Sequence, residues 1–462
     1  MRMEGVNHFF TWLNSYLWGP PLLILLFGTH LYMTIRTGLI QKKVGLAIRL
    51  SVTKDKAGAG DVSQFGALTT ALAATLGTGN IVGVGTAIAL GGPGAVLWIW
   101  MTGIFGIATK YAEALVAVKY RVKTSDGTML GGAMYALERG LNMKWLGVLF
   151  AVFTTLSSFG IGCTVQANAV SKLVHENFGV PDWLSGLVMA VTIAFVILGG
   201  VKSISSVCKM LVPFAAGAYI AGCLMIMFLN REFLGDTVLL IFHEAFSPHA
   251  AGGGFVGAGI MAAARYGVAR GLFANEAGLG SASIVAAAAQ TRNPVRQALV
   301  SSSGTFWDTV GVCAATGLAL VSTILANPDI VISGGIVDGA ALTSLAFSQI
   351  PVIGPAILTF GIMIFGFGSS IGWSYYGERG AEYLFGKAAI LPYKTIYIAA
   401  AFTGAVMSLS TVWNIADTLN MLMAIPNLAC ILLLSGVIAE ETKYYLTDDN
   451  IEKIDQEPIP VI

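Results

Sequence analysis

The sequence predicts an all-α polytopic membrane protein with eleven transmembrane helices, arranged as an inverted repeat of five plus five behind one extra N-terminal helix. Three observations predict this. The 462 residues are 55% hydrophobic and only 11% charged. That is too little charge to clothe a soluble protein of this length, and the apolar surplus runs along the whole chain. Lysine and arginine gather on alternate connections between apolar segments. The helix that opens each half is interrupted by glycine.

The elements follow in order. Residues 1–36 hold the extra N-terminal helix, roughly 12–34, interrupted by Pro20 and Pro21. It does not read as a signal peptide, because Glu4 accompanies Arg2 and no small-residue cleavage site follows the apolar run. Ten apolar segments come next, at 65–90, 95–118, 145–173, 183–200, 207–229, 255–290, 298–325, 352–384, 394–412 and 415–439. The first five form one half, 65–230, and the others the second, 253–440. The 255–290 segment is too long for one straight span and rich in glycine, so two short helices are expected there. In each half the second helix precedes an amphipathic stretch, at 121–144 and at 326–350. An odd number of spans per half gives the halves opposite orientation, which is an inverted repeat.

Arg36, Lys42, Lys43, Arg49, Lys54 and Lys56 crowd the first loop and place it in the cytosol. Alternation then leaves only Arg2, Lys172 and Arg231 outside. The N-terminus is expected outside and the C-terminus inside, in a multi-pass protein of the plasma (cell) membrane. The acidic tail, 441–462, is expected to be a solvated cytosolic end.

Several function classes are disfavoured. The five cysteines lie in apolar segments without ligand spacing, so no disulfide framework or metal site of theirs is expected. The five histidines are scattered and no nucleophile–base pair is visible, so no enzyme is expected. There is no phosphate-binding loop and no basic, aromatic-rich patch, which argues against ATP as energy source and against nucleic acid.

The stretch ATLGTGNIVG, 74–83, sits mid-way along the first core segment. Glycine is a poor helix former and asparagine is costly in hydrocarbon. Unwinding at 76–79 leaves one half-helix offering carbonyls near Thr75 and another offering amides near Asn80. The amides of Thr78 and Gly79 suit a carboxylate, and the carbonyls of Ala73, Thr75 and Leu76 suit Na⁺. Glycine lets a ligand approach the backbone closely. The glycines at 83, 85, 160 and 162 are read instead as sites of close helix packing.

Other polar residues in spans carry two readings each. Gln166 and Asn168 face the centre or make interhelical hydrogen bonds. Ser369 and Ser370 form a cation site or bond their own helix. Trp373, one turn beyond Ser369, walls a substrate pocket or packs. Asp417 is a gate or capping residue. Arg265, Arg270 and Glu276 read as an ion network in the cytosolic half of the interrupted helix, with Phe273 and Asn275 better placed for the pocket.

The residues also resemble a known family. LGTGNIVGVGTAIALGGPGAVLWIWMTGIFG, 76–106, resembles the signature region of the alanine/glycine:cation symporters, through Gly91, Gly92, Pro93, Gly94, Ala95 and the W-x-W of Trp98 and Trp100. RGLFANEAGLGSA, 270–282, resembles a second motif of that family, within which a sodium:alanine symporter fits best. The resemblance implies a LeuT-like fold with broken first and sixth core helices. It implies Na⁺-driven uptake of alanine or glycine, with Na⁺ as coupling ion and no other cofactor. Carried over, Thr78 and Gly79 would bind the substrate carboxylate. Thr75 and Asn80 would help hold one Na⁺, and Ala73, Leu76, Ser369 and Ser370 would match the other cation site. A proton-coupled transporter is the alternative, but it wants a titratable group at mid-membrane and the first-helix break has none in sequence. An amino-acid-gated channel or sensor is a further alternative.

Overall fold

The computed structural model describes residues 2–55, 57–246, 259–327, 339–407, 409–447 and 450–462. Lys56, His249, residues 253–258, 328–338 and 408 of the expected segments, and 448–449 of the tail lie outside the described residues.

Helices coincide with the expected apolar segments. Among the described residues, seven are long and apolar enough to cross a bilayer singly, and up to nine if each of two bent pairs counts as one span. Two expected spans fall below that criterion for evident reasons. Asp182–Ile197 has 16 residues, and the sixth core helix is split into Ile260–Asn275 and Ser281–Ala287.

The N-terminal unit differs from the expectation of one interrupted helix. It is two helices, Arg2–Leu17 and Pro20–Arg36. The proline pair starts the second helix rather than kinking a first, because proline lacks only an N–H that a first turn does not use. Helix Arg2–Leu17 is tied to helix Leu409–Leu433 by Asn14, whose Nδ2 donates to Asn414 O at 2.9 Å and whose Oδ1 accepts from Thr418 Oγ1 at 2.7 Å. Helix Pro20–Arg36 packs on Ala95–Lys119, where His30 Nδ1 meets Thr109 Oγ1 at 2.7 Å.

The 121–144 stretch is a small antiparallel ribbon, Val122–Lys123 with Met129–Leu130, followed by helix Ala133–Leu141. Of the 326–350 stretch, helix Gly339–Ser348 is described. A second ribbon is parallel: Val62–Ser63, just before the first core helix, pairs with Ala289–Gln290, just after the sixth. It fastens the N-terminal end of the first broken helix to the C-terminal end of the sixth. The tail does not behave as a solvated end: Ile462 N–H donates to Lys123 O at 2.9 Å and Lys119 pairs with Glu457 at 2.7 Å.

Candidate functional site

Helix Gln64–Thr75 ends where Leu76 turns extended, at φ −70° and ψ 90°. The chain becomes helical again at Thr78, passes through a wide π-type turn, Gly79–Gly83, and continues as Val84–Gly91. The two halves are bent by 55°. Asn80 braces the break. Its Oδ1 accepts from Gly77 N–H at 3.1 Å, and its own N–H donates to Gly77 O at 3.3 Å. Its Nδ2 donates to Asp308 Oδ1 at 2.7 Å and to Cys313 Sγ at 3.3 Å. Thr309 Oγ1 donates to the other oxygen of Asp308 at 2.9 Å.

Asp308 corrects the sequence reading. The break contributes no carboxylate of its own, but the span Pro294–Ala326 brings one to it, fully buried. Three other intramembrane residues were also passed over: Lys110, Glu113 and Asn427. Charged residues in apolar segments are functional candidates by their cost alone, and that was the available signal for Asp308, Lys110 and Glu113.

Ser369, on helix Gly354–Phe385, reaches the break from across the molecule. Its Oγ lies 3.2 Å from Ala73 O and 3.4 Å from Leu76 O. A Cβ on Gly77 would sit 2.7 Å from that hydroxyl, so glycine keeps the approach open. Ser370 behaves differently: its hydroxyl donates to Gly366 O at 2.9 Å, one turn back on its own helix. Of the serine pair, one hydroxyl crosses to the break and the other serves its own backbone. Thr75 Oγ1 likewise donates back to Leu72 O at 3.3 Å.

The second break spans 276–280, shorter than the interruption around 267–280 expected from the glycines. Gly267 and Gly271 lie inside helix Ile260–Asn275 and are packing sites, their missing Cβ atoms making room for Ala95 O and Thr102 Oγ1. Glu276, Gly278 and Gly280 have φ of 54°, 100° and 78°, which reverses the chain locally. Glu113 holds this loop from behind. Its Oε1 accepts from Gly278 N–H at 2.7 Å, Gly280 N–H at 3.1 Å and Asn427 Nδ2 at 2.7 Å. Lys110 Nζ stands 4.0 Å from the other Glu113 oxygen. Glu276 accepts from Trp373 Nε1 at 2.8 Å and Ser281 Oγ at 2.5 Å.

The remaining expected residues can be placed. Phe273 covers Gly79: its Cδ1 lies 2.8 Å from where a Cβ there would be. Gln166 stands beside Gly77, its amide 3.4 Å from the Cβ position, while its Nε2 donates to Ile161 O at 3.1 Å. Its Oε1 and the Thr78 hydroxyl are buried without a hydrogen-bond partner among the described residues. Asn275 lies away from this cluster. Its Oδ1 caps Ala277 N–H at 2.9 Å, and it faces a narrow cavity shared with Thr75 and Lys110. Trp373 is a buried packing residue, seated on Gly162 and bonded to Glu276, so it joins the second break to the third core helix rather than facing open space. Asn168 takes the interhelical reading, donating to Gly404 O and Met407 O at 3.0 and 2.7 Å. Among the described residues, no ion pair joins Arg265 or Arg270 to Glu276, as the expected network would need. Both arginines lie in the half-helix before the break, over the rings of Tyr266 and Phe273, and Glu276 is engaged by Trp373 and Ser281. The break, not charge pairing, sets where Glu276 points.

The first break therefore gathers Ala73, Leu76, Gly77, Thr78, Gly79, Asn80, Gln166, Phe273 and Ser369, from four core helices. Carbonyl oxygens and a hydroxyl converge on one side of it, and the start of a half-helix lies on the other. The chain is similar along its length to known transporters. The model of the sodium:alanine symporter family matches residues 3–458. The sodium/alanine symporter AgcS of Methanococcus maripaludis is 49% identical over 442 residues, covering 94% of this chain and 95% of that one. The probable sodium/glutamine symporter GlnT of Bacillus subtilis is 36% identical over 438 residues, covering 94% and 89%. Among solved structures, MhsT in complex with L-phenylalanine superposes with a TM-score of 0.60 at 15% identity, covering 84% of this chain and 93% of that one. That likeness is one of fold, the LeuT-like arrangement. Its fold and its sequence together make this chain a membrane transporter, not an enzyme, and a member of the sodium:alanine symporter family.

Proposed function

We propose that the protein is a secondary active transporter that carries small neutral amino acids, alanine and glycine, into the cell with Na⁺ by alternating access. The observation that carries this reading is Ser369 Oγ, set against the carbonyls of Ala73 and Leu76 at the end of a half-helix. A hydroxyl and two carbonyls at the negative end of a helix dipole form a hard-oxygen set suited to Na⁺. Ser369 belongs to the second half of the chain and the carbonyls to the first, so an ion held there couples the halves. The amides of Thr78 and Gly79 head the next half-helix and suit the substrate carboxylate. Phe273 lies over Gly79 and Gln166 beside Gly77, a crowded setting that suits a short side chain.

Uptake of radiolabelled alanine into proteoliposomes under separate Na⁺, Li⁺, K⁺ and pH gradients tests the reading. Accumulation against a concentration gradient driven by Na⁺ is expected, and equilibration without accumulation points to a channel or sensor. Alanine, glycine and serine are expected to compete, and leucine, phenylalanine, lysine and glutamate to compete poorly. Strong inhibition by leucine means a wider pocket.

Proton coupling is favoured by one specific observation, the buried Asp308 carboxylate on Asn80. If a proton gradient alone drives uptake, and Asp308→Asn abolishes that response, the coupling ion is H⁺.

The proposed orientation has the N-terminus outside and the C-terminus in the cytosol of a plasma-membrane protein. A tag before Met1 is expected to be accessible on intact cells and a tag after Ile462 only after permeabilisation. Labelling of both from one side overturns it.

A further inference from the structure

The tail reads as a solvated acidic segment, yet it is laced to the face where the two broken helices end. Arg292 donates to Glu452 O at 2.9 Å and to its carboxylate at 2.6 Å, and Arg296 donates to the other Glu452 oxygen at 2.8 Å. Asn293 Nδ2 bonds the carbonyls of Ile451 and Lys453, both at 2.9 Å. Asp455 N–H donates to Arg292 O at 2.7 Å. Further on, Glu457 pairs with Lys119 at 2.7 Å, and Lys123 N–H donates to Pro460 O at 2.8 Å. The tail thus spans from the start of the 294–326 span to the end of helix 95–119. Immediately before the anchoring residues 292 and 293, Ala289–Gln290 forms the parallel ribbon that joins the first broken helix to the sixth. That joint is close, since a Cβ on Gly58 would fall 1.9 Å from Thr291 O.

The arrangement separates a permanent partner from a removable one. Asp55 is buried and pairs with Arg292 at 3.0 Å and Arg296 at 3.3 Å. Against burial, which would raise it, hydrogen bonds from the Arg292 side chain and from the amides of Ala57 and Arg292 hold the Asp55 carboxyl below its ordinary range. The tail carboxylates are exposed, at 58% for Glu452 and 66% for Glu457. When Glu452 leaves, Asp55 still pairs with both arginines, so one net positive charge remains instead of two, beside a partly solvent-exposed Arg292. Exposed pairs of this kind are weak singly and screened by salt, which suits a contact made and broken in each cycle.

We propose that the C-terminal segment 450–462 is an ionic latch that holds this face of the transporter closed and must release for it to open. The proposal rests on the alternating-access reading above, but its test needs neither substrate nor coupling ion. Ser205 is buried against the first core helix, its Oγ 2.3 Å from the Cβ position of Gly66. The native cysteines are all buried, so Ser205→Cys, compared with the parent protein, reports opening between these helices. Its reaction with a membrane-impermeant maleimide is measured in inside-out and right-side-out vesicles without Na⁺ or amino acid. Three proteins are compared: full-length, a chain ending at Thr447, and the full-length double variant Glu452→Gln with Glu457→Gln.

Truncation is expected to speed labelling from the tail side about tenfold, as removal of two or three weak ion pairs would. The double variant is expected to speed it several-fold. Raising the salt concentration is expected to speed the full-length protein and leave the truncated one unchanged. Equal labelling rates in all three proteins, or a salt response that survives truncation, overturn the latch. If the truncated chain fails to fold by size-exclusion chromatography, the double variant and the salt response decide. A latch that responds in protein unable to accumulate alanine separates this inference from the transport reading.

Discussion

Replacing Gly79 by valine is expected to abolish alanine binding while the protein still folds and reaches the membrane. The reason is local. Gly79 has no close-contact allowance: an added Cβ meets Phe273 Cδ1 at 2.8 Å and Cε1 at 3.2 Å, with Ala274 Cα next at 3.7 Å. Phe273 is 5% exposed and has little room to withdraw. Overpacking a buried contact costs about 1–3 kcal/mol. That is not enough to unfold a large membrane protein, but the branched carbons also occupy the space through which a carboxylate would reach the Thr78 and Gly79 amides. Gly79→Ala should be intermediate, and shrinking the partner in Gly79→Ala with Phe273→Leu should recover part of the loss. Scintillation-proximity binding of labelled alanine, with size-exclusion profiles as the folding check, measures this. Alanine amide, which lacks the anion, is expected to bind the unaltered protein far more weakly than alanine. Wild-type affinity in Gly79→Val would put the substrate elsewhere in the molecule.

The contrast between Gly79 and Gly267 explains how much of the site was legible. Both are glycines in apolar segments, and the sequence pattern treats them alike. Only three-dimensional neighbours separate them: Gly79 lies under Phe273 at a break, whereas Gly267 admits Ala95 O in a continuous helix. The first break was readable because Gly, Thr and Asn together are costly in mid-span unless the helix opens. Its counterparts were less readable. Asp308 is 228 residues from Asn80 and Ser369 is 293 residues from Leu76. Nothing local tells which face of a uniformly apolar helix turns toward a given partner. Ser369 and Ser370 make the point most sharply, being adjacent, chemically identical and differently employed.

The tail failed for a related reason. Acidic composition predicts solvation when no complementary charge is nearby in sequence. Here the complement is supplied by Arg292, 160 residues from Glu452, and Lys119, 338 residues from Glu457. The fold class survived such errors because it depends on summed properties, namely total apolar length and the sidedness of lysine and arginine, which single misplacements do not alter.

Ser369→Ala is expected to raise the Na⁺ concentration for half-maximal uptake by about ten- to a hundredfold, corresponding to about 1–3 kcal/mol for an under-coordinated ion. Ser370→Ala is expected to do much less. Ser369 Oγ already stands at the carbonyls of Ala73 and Leu76, whereas Ser370 Oγ is committed to Gly366 O and its carbonyl receives Tyr397 OH at 2.7 Å. The Ser370 hydroxyl would have to break its intrahelical bond to join the ion, and that bond offsets part of what coordination gains. Gly77→Ala should mimic Ser369→Ala without removing any oxygen, since its Cβ would press on the hydroxyl from 2.7 Å. Saturating Na⁺ should partly restore transport in both variants, with alanine affinity at that Na⁺ little changed, because in the proposed site the Ser369 hydroxyl would touch the ion and not the amino acid. Na⁺ titrations of alanine uptake in Ser369→Ala, Ser370→Ala and Gly77→Ala give the comparison directly. If Ser369→Ala keeps the wild-type Na⁺ dependence, the hydroxyl is only a packing bridge between the halves, and the ion that couples them must be sought beside Asn80 and Asp308.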